Sequence, residues 1–294
     1  MRTLDFEKGG YPVLMYHDIV RDAGAAARLP LERRHYALPA ELFSDHLRRI
    51  RSLGLRTLTA EEMESAAAGV PGVVLTFDDG HSSQFEQAFP LLQKFGMKAT
   101  FFIVPEWIGR KGFMGWDQVK ELVRSGMSVQ SHTMSHQFLI QLVSKQMVDE
   151  LRGSKEIIEA HTGRAVRYLS LPGGRSEHSV WQLAAAFGYR GIFTSSPGYG
   201  SFRPFWQQVH RNGYHPRAYH RFAVSRKMDA DRLERLLLCP WSAFSVELRL
   251  KYLLGKTGRT LMGNALYDRL WLSREKLCQR WSLRRKVAMV AQQR

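Results

Sequence analysis

Short runs rich in β-branched and aromatic residues alternate with segments of helical periodicity from residue 11 to residue 194. This alternation confines the chain to a parallel β/α architecture. The strand-like runs are Tyr11–Asp18, Val73–Phe77, Lys98–Val104, Met127–Ser131, Val166–Leu171 and Gly191–Thr194. Helical spacing covers 41–52, 84–95, 116–125, 144–161 and 178–187, with Gly54, Gly96 and Gly126 as stops. Thr59 and Glu62 have the form of a capping box opening a further short helix, and residues 21–39 read as loop. Six or seven such units predict a barrel in preference to an open sheet. Polar residues gather just after the strands, at 17–18, 78–79, 132–136 and 172–174. In a parallel barrel these positions share the C-terminal rim, where active sites are built.

A chain of 294 residues, 44% hydrophobic and 24% charged, has the material for a full core. Its two cysteines, Cys239 and Cys278, are too few for a disulfide framework and read as free thiols of a reducing cytosol. The opening residues Met1–Lys8 carry no apolar stretch of the signal-peptide kind, and no apolar run approaches the ~18 residues that span a bilayer. A soluble, cytoplasmic protein is expected. The net charge of +16 is uneven: residues 221–294 hold 17 basic and 6 acidic side chains. The expected division is a barrel over 1–220 and a basic helical extension over 221–294.

The chemistry concentrates on two stretches. Val73-Val74-Leu75-Thr76-Phe77 ends in Asp78-Asp79-Gly80. Carboxylates at the end of a buried strand are costly unless a positive group meets them. Neighbouring strand residues face opposite ways, so one aspartate can serve a metal while the other does something else. His132-Thr133-Met134-Ser135-His136 places two imidazoles at i and i+4, which suits one face of a helical turn and a single metal ion. Two histidines and a carboxylate make a recurrent open metal site, with positions left for water and substrate.

These residues resemble the NodB-type polysaccharide deacetylases, carbohydrate esterase family 4. Thr76-Phe77-Asp78-Asp79-Gly80 matches the family's first motif, and His132 to His136 its second. The resemblance runs from about Tyr11 to Tyr214 and implies a distorted (β/α)7-type barrel. It further implies that Asp78 is the catalytic base, and that Asp79, His132 and His136 hold a divalent metal, with Zn2+ expected. The implied reaction is hydrolysis of an N-acetyl group on a sugar in a glycan or lipid-linked glycan.

The chain also departs from the family. Its third motif, Arg-x-Pro-x-Gly, is met here by Ser170-Leu171-Pro172-Gly173-Gly174, with serine in the arginine's place. Pro172, Gly173 and Gly174 are expected to line the substrate groove. The arginine that should brace Asp78 must come from elsewhere, with Arg167 and Arg175 nearby in sequence. Trp181 reads as core. The family's general acid is a histidine of its fifth motif; His210 lies in the right region, and His17 ends the first strand beside Tyr16 as in one branch of the family. Both remain candidates. His35, His46, His161 and His178 read as structural.

The extension places Leu266, Leu270, Leu277, Trp281 and Ala288 on a rough helical stripe among many arginines and lysines. This pattern suits a helix lying on an anionic membrane surface, and equally a helix docked on the barrel with its basic face in solvent. In the first case the protein would be peripheral to the inner face of the membrane. Nucleic acid is not an expected partner, since no recognition motif accompanies the charge. Two rival functions stand beside deacetylation: hydrolysis of another amide or imide carbon–nitrogen bond, and carbohydrate binding by a relative that has lost turnover.

Overall fold

The structure is a computed structural model and describes residues 10–67, 69–202, 216–239 and 243–262. It divides into two compact units, Met1–Val246 and Glu247–Arg294. The strands are Val13–Tyr16 (β1), Ile19–Val20 (β2), Leu38–Pro39 (β3), Arg56–Leu58 (β4), Gly72–Phe77 (β5) and Thr100–Ile103 (β6). They continue with Ser128–Ser131 (β7), Tyr168–Ser170 (β8), Gly191–Phe193 (β9), Ser201–Phe202 (β10), Arg217–Tyr219 (β11) and Phe222–Ala223 (β12). The six runs expected as strands are β1, β5, β6, β7, β8 and β9.

These six lie side by side and parallel in the order β9-β8-β7-β6-β5-β1. β11 then pairs parallel with the outer edge of β9, and β12 pairs parallel with the outer edge of β1. Only His220 and Arg221 separate β11 from β12 in sequence. One short stretch of chain therefore supplies the seventh strand and brings the two edges of the curled sheet together. β4 joins the first half of β5, leaving its second half to β6. The segment expected as loop between 21 and 39 contains two short helices, Ala23–Arg28 and Leu31–Arg34, and the small parallel pair β2–β3.

The inner face of the barrel follows from strand alternation. Val13, Val74, Phe102, Tyr168, Phe193 and Tyr219 form one buried cluster, with Phe193 stacked on Tyr219 at 4.9 Å between ring centres. Two residues further along their strands come Thr76, Ser170 and Arg221, all fully buried. An aromatic layer thus floors the barrel, and the layer above it is polar.

The expected boundary at residue 220 falls inside the first unit. Arg221 and β12 belong to the barrel, and the helix Ala230–Leu238 buries Leu233, Leu236 and Leu237. Arg49, on the helix Ala40–Ser52, pairs with Asp231 (3.0 Å) and Glu234. His46 of the same helix lies 2.7 Å from the Met228 carbonyl. The physical reason is that β1 offers an unpaired edge, which β12 fills. The helix Ala243–Met262 runs across the division between the units. The stripe predicted beyond it, from Leu266 to Ala288, lies outside the described residues, as does Cys278.

Candidate active site

Asp78 continues the inward series Val74, Thr76, Asp78 beyond the end of β5 and is 2% exposed. Its carboxylate is held by Arg221, whose Nη1 donates to Oδ1 at 2.7 Å and Nη2 to Oδ2 at 2.9 Å. Ser170 donates its hydroxyl to Oδ2 at 3.0 Å and accepts from Arg221 Nη2 at 2.8 Å. Arg221 Nε is fixed on the Thr194 carbonyl at 2.9 Å. The arginine that the third motif lacks is therefore supplied by Arg221. Arg167 is exposed, and Arg175 lies over the Phe138 ring at 4.0 Å. Burial raises the Asp78 pKa, but the Arg221 guanidinium and His132 outweigh it, so the group sits below the usual carboxylate range.

Asp79 turns the other way, through a backbone φ of 80°. Left-handed backbone is uncommon outside glycine, and such strain concentrates at functional sites. Its Oδ1 lies 3.4 Å from His132 Nε2 and 3.5 Å from His136 Nε2. These three residues form the cluster of potential ligands among the described residues, with their atoms all within 4.8 Å of one another. Bonds of about 2.1 Å in tetrahedral geometry would separate ligand atoms by about 3.4 Å, so the donor set fits one small divalent ion. His132 Nδ1 lies 2.9 Å from the Ser170 carbonyl. Donation to that carbonyl keeps a proton on Nδ1, so that release of the Nε2 proton gives the ligand form of the ring, with its lone pair toward Asp79.

The two histidines do not share a helical turn. Residues 132–138 are loop, and both Thr133 (φ 64°) and His136 (φ 65°) are left-handed. Glu150, buried on a following helical turn, holds this loop by accepting from the Met134 and Ser135 N–H groups at 2.9 and 3.0 Å and from the Ser135 hydroxyl. Thr133 Oγ1 accepts from the His136 N–H at 3.1 Å.

Burial raises the Asp79 pKa, yet hydrogen bonds from His132 and His81 hold it well below the usual range. Burial lowers His132, but Asp78 and Asp79 reverse this and leave it raised. His136 is pushed down to about 4 by burial and by the neighbouring His132. The cluster thus supplies an ionised carboxylate and a neutral imidazole, which are ligand forms.

His17 reaches the same rim from the end of β1, stacked on Tyr36 at 5.0 Å. Burial lowers its pKa, opposed by the charges of Asp79 and Asp78. His210 lies outside the described residues. Pro172, Gly173 and Gly174 form a tight turn after β8. Both glycines have positive φ, and a Cβ on Gly174 would come within 2.7 Å of the Ser195 backbone nitrogen. Trp181 is buried, as expected for core. Trp107 and Phe113 extend an aromatic wall from His136, with ring centres 4.9 Å from His136 to Trp107 and 5.0 Å from Trp107 to Phe113.

Three contributors went unmarked in the sequence: Arg221, Ser170 as a hydrogen-bond donor, and His81, whose Nε2 lies 3.3 Å from Asp79 Oδ2. A signal for Arg221 existed. The sequence offers six strand-like runs where the resemblance implies seven strands, which points to a seventh downstream of Thr194.

The sequence profile of the family described as polysaccharide deacetylase matches residues 66–192. This span contains Asp78, Asp79, His132, His136 and Ser170 but neither His17 nor Arg221. The putative polysaccharide deacetylase YxkH of Bacillus subtilis is 31% identical over 205 residues, covering 68% of this chain and 70% of that protein. The peptidoglycan-N-acetylglucosamine deacetylase of Bacillus cereus is 24% identical over 124 residues, covering 42% of this chain and 56% of that enzyme. Among solved structures, the Streptococcus pyogenes deacetylase PplD in complex with acetate superimposes with a TM-score of 0.66 at 24% identity. That fold match covers 78% of this chain and 98% of PplD.

Proposed function

Because the chain belongs to the polysaccharide deacetylase family, hydrolases of N-acetyl amide bonds, we propose that it removes acetyl groups from an N-acetylated sugar in a glycan or lipid-linked glycan, with Asp78 as base. One observation carries this reading. The ionised Asp78 carboxylate, gripped by Arg221, stands 3.8 Å from His132 Nε2 and so opens onto the Asp79–His132–His136 cluster.

A divalent ion held by Asp79, His132 and His136 would supply Lewis acidity, with Zn2+ favoured by the donor set. Asp78 takes a proton from the attacking water as the new C–O bond forms. The carbonyl–nitrogen bond then breaks, acetate leaves, and the sugar amine takes up a proton. We assign that delivery to His17, which lies on the same rim as both aspartates. Arg221 and Ser170 keep Asp78 ionised and fixed in direction. They also remove one of the two reasons for reading the chain as a binding relative without turnover, since the missing motif arginine has a replacement.

The test is acetate release from N-acetylglucosamine oligomers by the purified protein. Release that disappears on chelation and returns with added Zn2+ supports the reading. A metal-loaded protein that releases no acetate from free or lipid-linked N-acetylated oligosaccharides overturns it.

For the C-terminal segment, we propose peripheral contact with an anionic membrane, at the inner face where lipid-linked glycans are assembled. Leu250, Leu253 and Leu254 are 55%, 54% and 72% exposed on the helix Ala243–Met262, amid basic neighbours. Among the described residues no helix is long and apolar enough to cross a membrane. Truncation after Val246 should abolish sedimentation with anionic vesicles; unchanged sedimentation overturns the proposal.

A further inference from the structure

The two oxygens of Asp79 face different partners. Oδ1 is turned toward His132 and His136, whereas Oδ2 is turned toward His81. His81 is 3% exposed, and its Nε2 lies 3.3 Å from Asp79 Oδ2 and 3.7 Å from Asp18 Oδ2. Among the described residues its Nδ1 is buried with no hydrogen-bond partner. Its hydrogen-bonding edge is therefore Nε2, which faces the two carboxylates.

The ring is held at one face and at its Nε2 edge. One face stacks on Phe113, with ring centres 4.7 Å apart, and His81 and Phe113 are joined by an antiparallel backbone bridge. At the Nε2 edge, Asp18 is 1% exposed and tied down by Arg33, whose Nε and Nη2 donate at 2.9 and 2.6 Å. Ser83 donates to the same carboxylate at 2.8 Å. Asp18 lies just beyond β1, Arg33 in a short helix and His81 just beyond β5. Three separate elements thus converge behind one oxygen of Asp79.

We infer that the Arg33–Asp18–His81 chain is a positioning device for Asp79: His81 occupies Oδ2, leaving Oδ1 as the single oxygen offered to a metal. The inference rests on the metal-site reading proposed above. A ligating carboxylate oriented from behind binds its ion more tightly, and loss of such an outer partner typically weakens affinity by about 10- to 100-fold. Asp18, fixed by Arg33 and Ser83, lies 3.7 Å from the same Nε2, and its negative charge holds that edge of the ring beside Asp79. The chain touches neither substrate nor reacting atoms.

The test is the Zn2+ dissociation constant of the metal-depleted full chain, by competition with a chromophoric chelator, together with the visible spectrum of the Co2+ form. His81→Ala should weaken Zn2+ binding by roughly 10- to 100-fold and alter the Co2+ spectrum. In His81→Gln the amide nitrogen can stand where Nε2 stood, so affinity should return to within a few-fold of the parent. Asp18→Asn should fall between the two. Thermal unfolding of each metal-free variant identifies any that fail to fold, and the spectrum is read on those that do. Unchanged affinity in folded His81→Ala, or equal losses in the glutamine and alanine variants, overturns the positioning role while leaving the metal site standing. A parent protein that binds no Zn2+ overturns both.

Discussion

Arg221 grips Asp78 through both terminal nitrogens from 143 residues further along the chain. The contact exists because one strand path, from β11 to β12, closes the barrel and carries Arg221 inward two positions after Tyr219. Barrel closure and the fixing of the Asp78 carboxylate are therefore one structural event. Truncating Arg221 would leave a buried carboxylate without its counter-charge, an arrangement that commonly costs about 3–5 kcal/mol.

From this follows a kinetic expectation for Arg221→Lys. Lysine keeps a charge but loses the two-pronged grip. The value of kcat/KM should fall by roughly 100-fold, the range of a mispositioned catalytic group. The sign of the pH effect follows from the cause. Arg221 lowers the Asp78 pKa, and the proposed mechanism uses Asp78 ionised, so weakening the contact raises that pKa. The acid limb of the rate profile should move to higher pH in the variant. An unmoved limb would show that Arg221 does not tune Asp78.

Glu150 gives a prediction about the histidine loop. Glu150→Ala removes the acceptor for two backbone N–H groups and one hydroxyl. Destabilisation of about 2–4 kcal/mol is expected, measured by urea unfolding of the metal-free protein. Zn2+ affinity should fall as well, because His136 loses the framework that sustains its left-handed backbone.

His46 predicts a pH dependence of stability away from the site. Its ring lies between the Tyr16 hydroxyl and the Met228 carbonyl, and burial lowers its pKa to about 4. The unfolded chain binds a proton near pH 6.5, whereas the folded chain does so only near 4. Stability should therefore decline as pH falls from 6.5 toward 4, by up to about 3 kcal/mol, and level off below. In His46→Gln this component of the slope should vanish. A variant with the parent's slope would exclude His46 as its source.

The legible part of the molecule was the part written locally. Asp78 and Asp79 sit at the end of one apolar run, and His132 and His136 lie four residues apart, so type and spacing displayed them. The strand alternation also gave the six inner strands. Arg221 was illegible because its role depends on closure in three dimensions; in sequence it was one of 17 basic residues in the last quarter and marked the start of a supposed extension. The helical turn expected for His132–His136 failed because positive φ at Thr133 and His136 turns the chain out of a helix. His81 is illegible in the sequence because only the fold places Asp18 and Arg33 behind it.

The most direct test of the account joins two readings on one sample of Asp78→Asn: zinc content and acetate release from N-acetylglucosamine oligomers. Asparagine keeps the shape but cannot take the proton, while Asp79, His132 and His136 remain. The account predicts zinc content equal to the parent's and acetate release lower by a factor of 1000 or more, roughly what loss of an essential base removes. Near-parental acetate release from the zinc-loaded variant would contradict it.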